Sequence, residues 1–143
     1  MSNDRNVFAV RSGSVSRVGF ENPRNPRQGF GYRIYVRALD GSVDIYAHMD
    51  PASITLAVDD TVSAGQRIGM YAYPPNGSAT AAHLHFERRN SNGHSVPPGN
   101  ISPLSPGARI TSGYGVRTHP VTGRQATHHG GIDFVGPAVE SSR

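Results

Sequence analysis

The sequence predicts an all-β or β-dominated domain built on antiparallel strands, and three observations carry that expectation. Of 143 residues, 17 are Gly and 11 are Pro. That is about 20% against an average near 12%, and so much turn chemistry favours short strands joined by loops over a helical bundle. Between residues 32 and 48, apolar and polar side chains alternate with period two around an Asp40-Gly41 pair, the pattern of a β-hairpin. No segment shows the three-to-four-residue apolar spacing of an amphipathic helix.

Val7 to Val10 is a short apolar run that ends towards Gly13, and Val15 to Phe20 is a second strand candidate. Residues 21–31, with two Pro, two Gly and three charges, read as a loop. From Tyr32 to Ala38, Tyr32, Ile34, Val36 and Ala38 share one face. After the Asp40-Gly41 turn, Val43, Ile45 and Ala47 alternate with Asp44, Tyr46 and His48. Residues 49–53 suit one turn of helix or a loop. Val58 to Val62 leads to a tight turn at Ala64-Gly65, and residues 67–73 form another strand. Pro74 to Ala79 is a loop. His83 to Arg88 is a strand on which His83, His85 and Glu87 share a face opposite Leu84 and Phe86. Residues 90–107 hold four Pro, three Gly and four Ser, the composition of a linker or irregular surface loop. A new segment opens at Arg109 and ends in Gly131-Ile132-Asp133-Phe134-Val135. There are no internal repeats.

A length of 143 residues matches about one domain, and a chain of this size needs no disulfide to fold. The absence of Cys excludes a disulfide framework, thiolate metal sites and cysteine nucleophiles. A metal site must therefore use His, Asp or Glu. No apolar run reaches the roughly 18 residues of a membrane span. The opening Met1-Ser2-Asn3-Asp4-Arg5-Asn6 lacks the apolar core of a signal peptide, so export would need another route. The net charge of +4 is carried by scattered Arg and attracts polyanions of any kind. Arg33, Tyr35 and Arg37 give the one hint of a nucleic-acid-binding barrel, which would need clustered Arg interleaved with stacking aromatics. No nucleic-acid partner is expected.

The seven His demand an explanation. His83 and His85, two apart on a strand, point to one side of the sheet, so one could ligate a metal while its neighbour reaches a water. His129 and Asp133, four apart across two Gly, could be brought together by a turn into a strand. Each has an ordinary alternative: an exposed loop pair at His128-His129, an edge-strand His48, or a carboxylate at Asp133 that caps backbone amides.

Taken together, these segments resemble one family. Gly113-Tyr114-Gly115-Val116-Arg117-Thr118-His119-Pro120-Val121-Thr122-Gly123, His129-Gly130-Gly131-Ile132-Asp133, Tyr46-Ala47-His48 and His83-Leu84-His85-Phe86-Glu87 are similar to the lysostaphin-type (LytM-like) zinc endopeptidases. These are peptidoglycan hydrolases built on a β-sheet groove, and the likeness covers roughly nine-tenths of the chain. One departure is large: in the family the HxxxD segment comes first, whereas here it comes last. The sequence reads as one circularly permuted domain over 1–143. Residues 7–100 match the family's C-terminal part, 101–108 form a Pro/Ser/Gly-rich joint, and 109–137 match its N-terminal part. A fragment of two tandem domains is the competing explanation. Permutation is tolerated where termini lie close on the surface.

The resemblance implies that His129, Asp133 and His85 bind Zn2+, with water in the fourth position. His48 and His83 would flank the metal as general base and oxyanion stabiliser, in either assignment. Tyr114 and His119 would line the substrate loop. The implied activity is hydrolysis of cross-links or stem peptides in bacterial peptidoglycan. With no signal peptide, the expected setting is a phage virion or lysis protein, or the extracellular cell wall, acting as a monomer or as part of a phage particle. The alternative is a non-catalytic wall-binding or regulatory module that keeps the fold.

Overall fold

The structure, a computed structural model, describes residues 2–79, 81–118 and 126–139. In chain order the strands are β1 (Ser2–Asn3), β2 (Asn6–Phe8), β3 (Gly13–Phe20), β4 (Tyr32–Arg37), β5 (Val43–Ala47), β6 (Thr61–Val62), β7 (Arg67–Met70), β8 (Leu84–Arg89), β9 (Ser95–Val96), β10 (Arg109–Ser112), β11 (Gly115–Thr118), β12 (Ala126–His129), β13 (Ile132–Val135) and β14 (Ala138–Val139). Pro51–Ser53 forms a 3-10 turn, capped where the Asp50 carboxylate accepts from the Ala52 N–H at 3.0 Å. No α-helix forms among the described residues, and so none long and apolar enough to cross a membrane. The fold is all-β, as the alternation predicts.

Eight strands make one antiparallel sheet in the order β10-β13-β8-β5-β4-β3-β6, with β9 beside β8. Two-stranded ribbons join β1 to β14, β2 to β7 and β11 to β12. Ile34, Tyr46, Phe86 and Ile132 lie in one row across β4, β5, β8 and β13 and are buried. Val36, Leu84 and Phe134 join them, and Val7, Val15, Met49, Ile68, Tyr71 and Leu104 belong to the same cluster. Burying each such side chain stabilises the fold by about 1.5–3 kcal/mol. The register also decides which face of β5 meets this core. Tyr46 does, while Ile45 and Ala47 are buried on the opposite face, so β5 is enclosed on both sides.

The β4–β5 hairpin forms where expected, but its turn is longer than two residues. The Ala38 carbonyl accepts from the Gly41 N–H at 3.0 Å, the Ala38 N–H donates to Ser42 at 2.9 Å, and Gly41 sits at φ +87°. This is the three-residue loop closed by a left-handed glycine. The strand expected over 67–73 ends at Met70, after which Tyr71 makes an isolated bridge to Met49.

The stretch 90–107 is largely the irregular loop its composition suggests, but it is tied into the fold at two points. Ser95–Val96 returns as β9 against β8. Leu104 is 4% exposed and bridges to Val7, and the Pro103 carbonyl accepts from the Phe8 N–H at 2.7 Å. A composition dominated by turn residues hides Leu104, which the core takes up, and Ile101, which packs against it.

Asp44 is buried on the core face and fully paired. Its carboxylate accepts from Arg11 Nη2 at 2.8 Å, Arg11 Nε at 3.0 Å and Arg88 Nε at 2.7 Å, which offsets the cost of burying the charge. Asp44→Ala is expected to destabilise the chain by on the order of 3 kcal/mol, because the two guanidiniums lose their counter-charge. A lowered urea midpoint checks this, and an unchanged midpoint would show that the network contributes nothing.

Candidate active site

β8 lies between β5 and β13, and the register assembles the site from three distant parts of the chain. Asp133 is opposite His85, and His85 is opposite Ala47, the residue before His48. His48, His83, His85 and Asp133 line one open cleft of about 580 Å3 with Phe30 and Arg89 among its other walls. His85 Nδ1 is 2.8 Å from Asp133 Oδ1, and His83 Nε2 is 3.5 Å from the same oxygen. The rings of His48 and His83 are centred 5.0 Å apart.

The two histidines outside the His85–Asp133 pair have their tautomers assigned by their partners. His48 Nδ1 is 3.1 Å from the Asn76 carbonyl and His83 Nδ1 is 2.9 Å from the Ala81 carbonyl. A carbonyl only accepts, so each Nδ1 carries the proton. Burial, with the nearby charges of His83 and His85, pulls the His48 pKa down to about 4. His48 is thus neutral near pH 7, with a lone pair on Nε2. For His83 burial disfavours the charge, but the bonds to Asp133 and Ala81 outweigh it and raise the pKa. His48 also has a backbone φ of +60°, uncommon for a residue with a side chain. Its N–H donates to the Phe30 carbonyl at 2.8 Å and its carbonyl accepts from the Ala72 N–H at 2.7 Å, so neighbouring segments hold it there.

His85 is braced on every side. Its Nε2 lies 3.3 Å from Glu87 Oε1. Glu87 Oε2 in turn accepts from Arg89 Nε at 2.7 Å and from the Ser95 hydroxyl at 2.9 Å. The Arg89 guanidinium sits 5.8 Å from the Phe30 ring, and that ring stacks on His85 at 5.4 Å. The four side chains close a cycle. Burial opposes charge on His85, yet the bonds to Asp133 and Glu87 prevail and hold its pKa at about 9. Burial likewise opposes the Glu87 carboxylate, but His85, Arg89 and Ser95 keep its pKa near 2, and the two histidines hold Asp133 well below the usual carboxylate range.

The residues that sequence reasoning leaves without a role here are Glu87, Asn76, Phe30 and Arg89. The alternation His83, His85, Glu87 was the available signal for Glu87; nothing local marks the others. Tyr114 is half-buried, packs against the core and donates from its hydroxyl to the Ser95 carbonyl at 3.4 Å. His119 and the side chain of His129 lie outside the described residues, although the His129 backbone ends β12 opposite Gly115. Among the described residues no three His, Asp or Glu groups are gathered as a metal centre. The donors present nevertheless suit zinc, which takes imidazole nitrogen and carboxylate oxygen. Glu87 on the far nitrogen of His85 is the arrangement that orients a ligating imidazole.

Gly131 packs against this centre: an added Cβ would strike the Phe86 carbonyl and come 2.7 Å from His85 Nε2. Gly131→Ala is expected to lower stability by about 1–3 kcal/mol through overpacking. Thermal unfolding checks it, and a midpoint equal to that of the parent would contradict the crowding.

Comparison with known proteins agrees with this geometry. A model of peptidase family M23 matches residues 1–98, the part that holds His48, His83 and His85. The catalytic domain of lysostaphin from Staphylococcus simulans, an antimicrobial peptidase, is similar at 30% identity and a TM-score of 0.52, covering 72% of this chain and 69% of that one. The catalytic domain of a mutant of EnpA, a prophage-encoded M23 protein from Enterococcus faecalis, is similar at 25% identity and a TM-score of 0.56, covering 70% and 72%. A second lysostaphin structure, at 20% identity and a TM-score of 0.53, shares the fold over 95% of this chain and 79% of that one. Among curated proteins none matches. With the family model spanning more than half the chain and holding His48, His83 and His85 of the cleft, this chain belongs to peptidase family M23.

Proposed function

We propose that the chain is a zinc-dependent endopeptidase that hydrolyses cross-links or stem peptides of bacterial peptidoglycan. The observation that carries this reading is the meeting of His48, His83, His85 and Asp133 in one open cleft of an M23 peptidase. An antimicrobial peptidase and a prophage-encoded protein among the similar structures support a lytic setting, in a phage particle or at the cell wall.

In this reading His129, Asp133 and His85 hold the metal. When bound, zinc supplies Lewis acidity, polarising the carbonyl of the bond to be cut and making water acidic at near-neutral pH. His48, neutral and with Nε2 free of the proton, takes the proton of the attacking water. His83, whose Nδ1–H is committed to Ala81, turns Nε2 to the cleft and in its protonated form steadies the developing oxyanion. Glu87 keeps the His85 ring in place through Nε2, and the Asn76 carbonyl does the same for His48.

The chain is also read as one permuted domain. Its support is that β13, from the segment after the 101–108 joint, pairs directly with β8, and that β1 pairs with β14.

Chelation should abolish cleavage of purified peptidoglycan, and added zinc should restore it; cleavage that survives zinc removal would defeat the mechanism. His129→Ala, His85→Ala and Asp133→Ala should lose bound zinc together with activity. His48→Ala should keep its zinc but lose about 10²–10⁴-fold in kcat. A metal-free chain that binds wall fragments without cutting them would fit the non-catalytic module instead. Glu87→Gln should weaken zinc retention about 10–100-fold, read by chelator competition; unchanged affinity would leave Glu87 without a part in holding His85.

A further inference from the structure

A second cleft, of about 270 Å3, opens on the same face of the sheet as the active site, and Arg89 lines both. Its other walls include Arg17, Tyr35, Arg37, Val43 and Asn90. The register explains the grouping: Arg17 is opposite Tyr35, Arg37 is opposite Val43, and Val43 is opposite Arg89. Arg37, Val43 and Arg89 thus form a row, and Arg17 and Arg37 are exposed. Tyr35 is gripped by two cations, with the Arg17 guanidinium 5.7 Å and the Arg33 guanidinium 5.4 Å from its ring.

The charge here is unbalanced, in contrast to the Asp44 network on the other face of the sheet. Arg11 and Arg88 share Asp44, and the nearby Asp40 carboxylate takes the Ser42 N–H and lies 3.9 Å from Arg11. No Asp or Glu is among the described residues that line the second cleft. Arg89 gives only its Nε to Glu87. Three arginines, Arg17, Arg37 and Arg89, therefore line one hollow with no acidic residue among its described walls, a setting suited to fork-like pairing with a carboxylate.

We propose that this cleft is a carboxylate subsite of the peptidase, taking an acidic group of the peptide strand whose scissile bond lies at His48 and His85. The inference rests on the endopeptidase reading above. Arg89 is four residues from His85 along β8, about 13 Å at strand rise, which four residues of extended peptide span. The acidic group accordingly sits about four residues from the bond cut.

The test uses a cross-link peptide that the parent chain cleaves, made with Glu or with Gln four residues from the scissile bond, on either side in turn. For one side the Glu form should be preferred about tenfold in kcat/KM, through KM, with the preference shrinking as salt rises. Arg17→Ala/Arg37→Ala, two exposed positions outside the catalytic centre, should remove that preference and leave cleavage of the Gln form unchanged. Equal rates on both forms, or a preference that survives in the double variant, would overturn the subsite while leaving the peptidase reading intact. Binding to the metal-free chain separates the two ideas. The Glu peptide should shift the Nε–H resonances of Arg17 and Arg37 more strongly than the Gln peptide, whether or not either is cut. Binding there, with neither peptide cut even after zinc is added back, would sink the peptidase reading and keep the subsite. Displacement by a polyglycerol phosphate, with no response to the Glu peptide, would assign the cleft to another anionic polymer and overturn the proposal.

Discussion

The seating of β8 between β5 and β13 is the constraint on which the rest depends. In a strand, neighbouring side chains point to opposite faces. The register that places Phe86 between Tyr46 and Ile132 in the core therefore also places His85 beside Asp133 and one residue from the level of His48. A slip of one residue would turn His85 into the apolar core and Phe86 out to the cleft. The packing energy of the core row and the geometry of the site are thus one choice of register. This is why so polar a centre can be built on strands that are almost wholly buried.

Buried charge is handled alike on both faces. Below the sheet Asp44 takes two guanidiniums, and above it Glu87 and Asp133 take imidazoles and one guanidinium. In each case the carboxylate has more than one partner, as low polarity requires. The partners differ in chemistry. Arginine stays charged and locks Asp44 permanently, whereas imidazoles can give up a proton. The face with the imidazoles is the one able to take part in a reaction.

The cleft walls rest on a close fit between two loops. The Gly77 N–H donates to the Pro26 carbonyl at 2.7 Å and the Ser78 N–H to the Gly29 carbonyl at 2.8 Å. Gly31, at φ +63°, leaves no room for a side chain beside Asn76. Asn76 in turn bonds to the Met49 carbonyl through Nδ2 at 2.8 Å and to His48 through its own carbonyl. The tautomer of His48 therefore depends on a loop nearly thirty residues away.

Much of this molecule could be read in its residues. Period-two alternation and the turn at Asp40-Gly41 are local properties, so the β-class and the central hairpin follow from the sequence by itself. So does the grouping of His83, His85 and Glu87 on one face, because two-residue spacing leaves a strand no other choice. The lack of Cys confines any metal donors to His, Asp and Glu. Local pattern could not reveal that β13 lies beside β8, that the Pro-rich stretch sends Leu104 into the core, or that Phe30 and Arg89 enclose His85. Nor could it say which side of β5 meets the main core, since both of its faces carry apolar residues. Those outcomes depend on pairing between residues tens of positions apart. Only the packed tertiary structure, by choosing one register for the whole sheet, decided them.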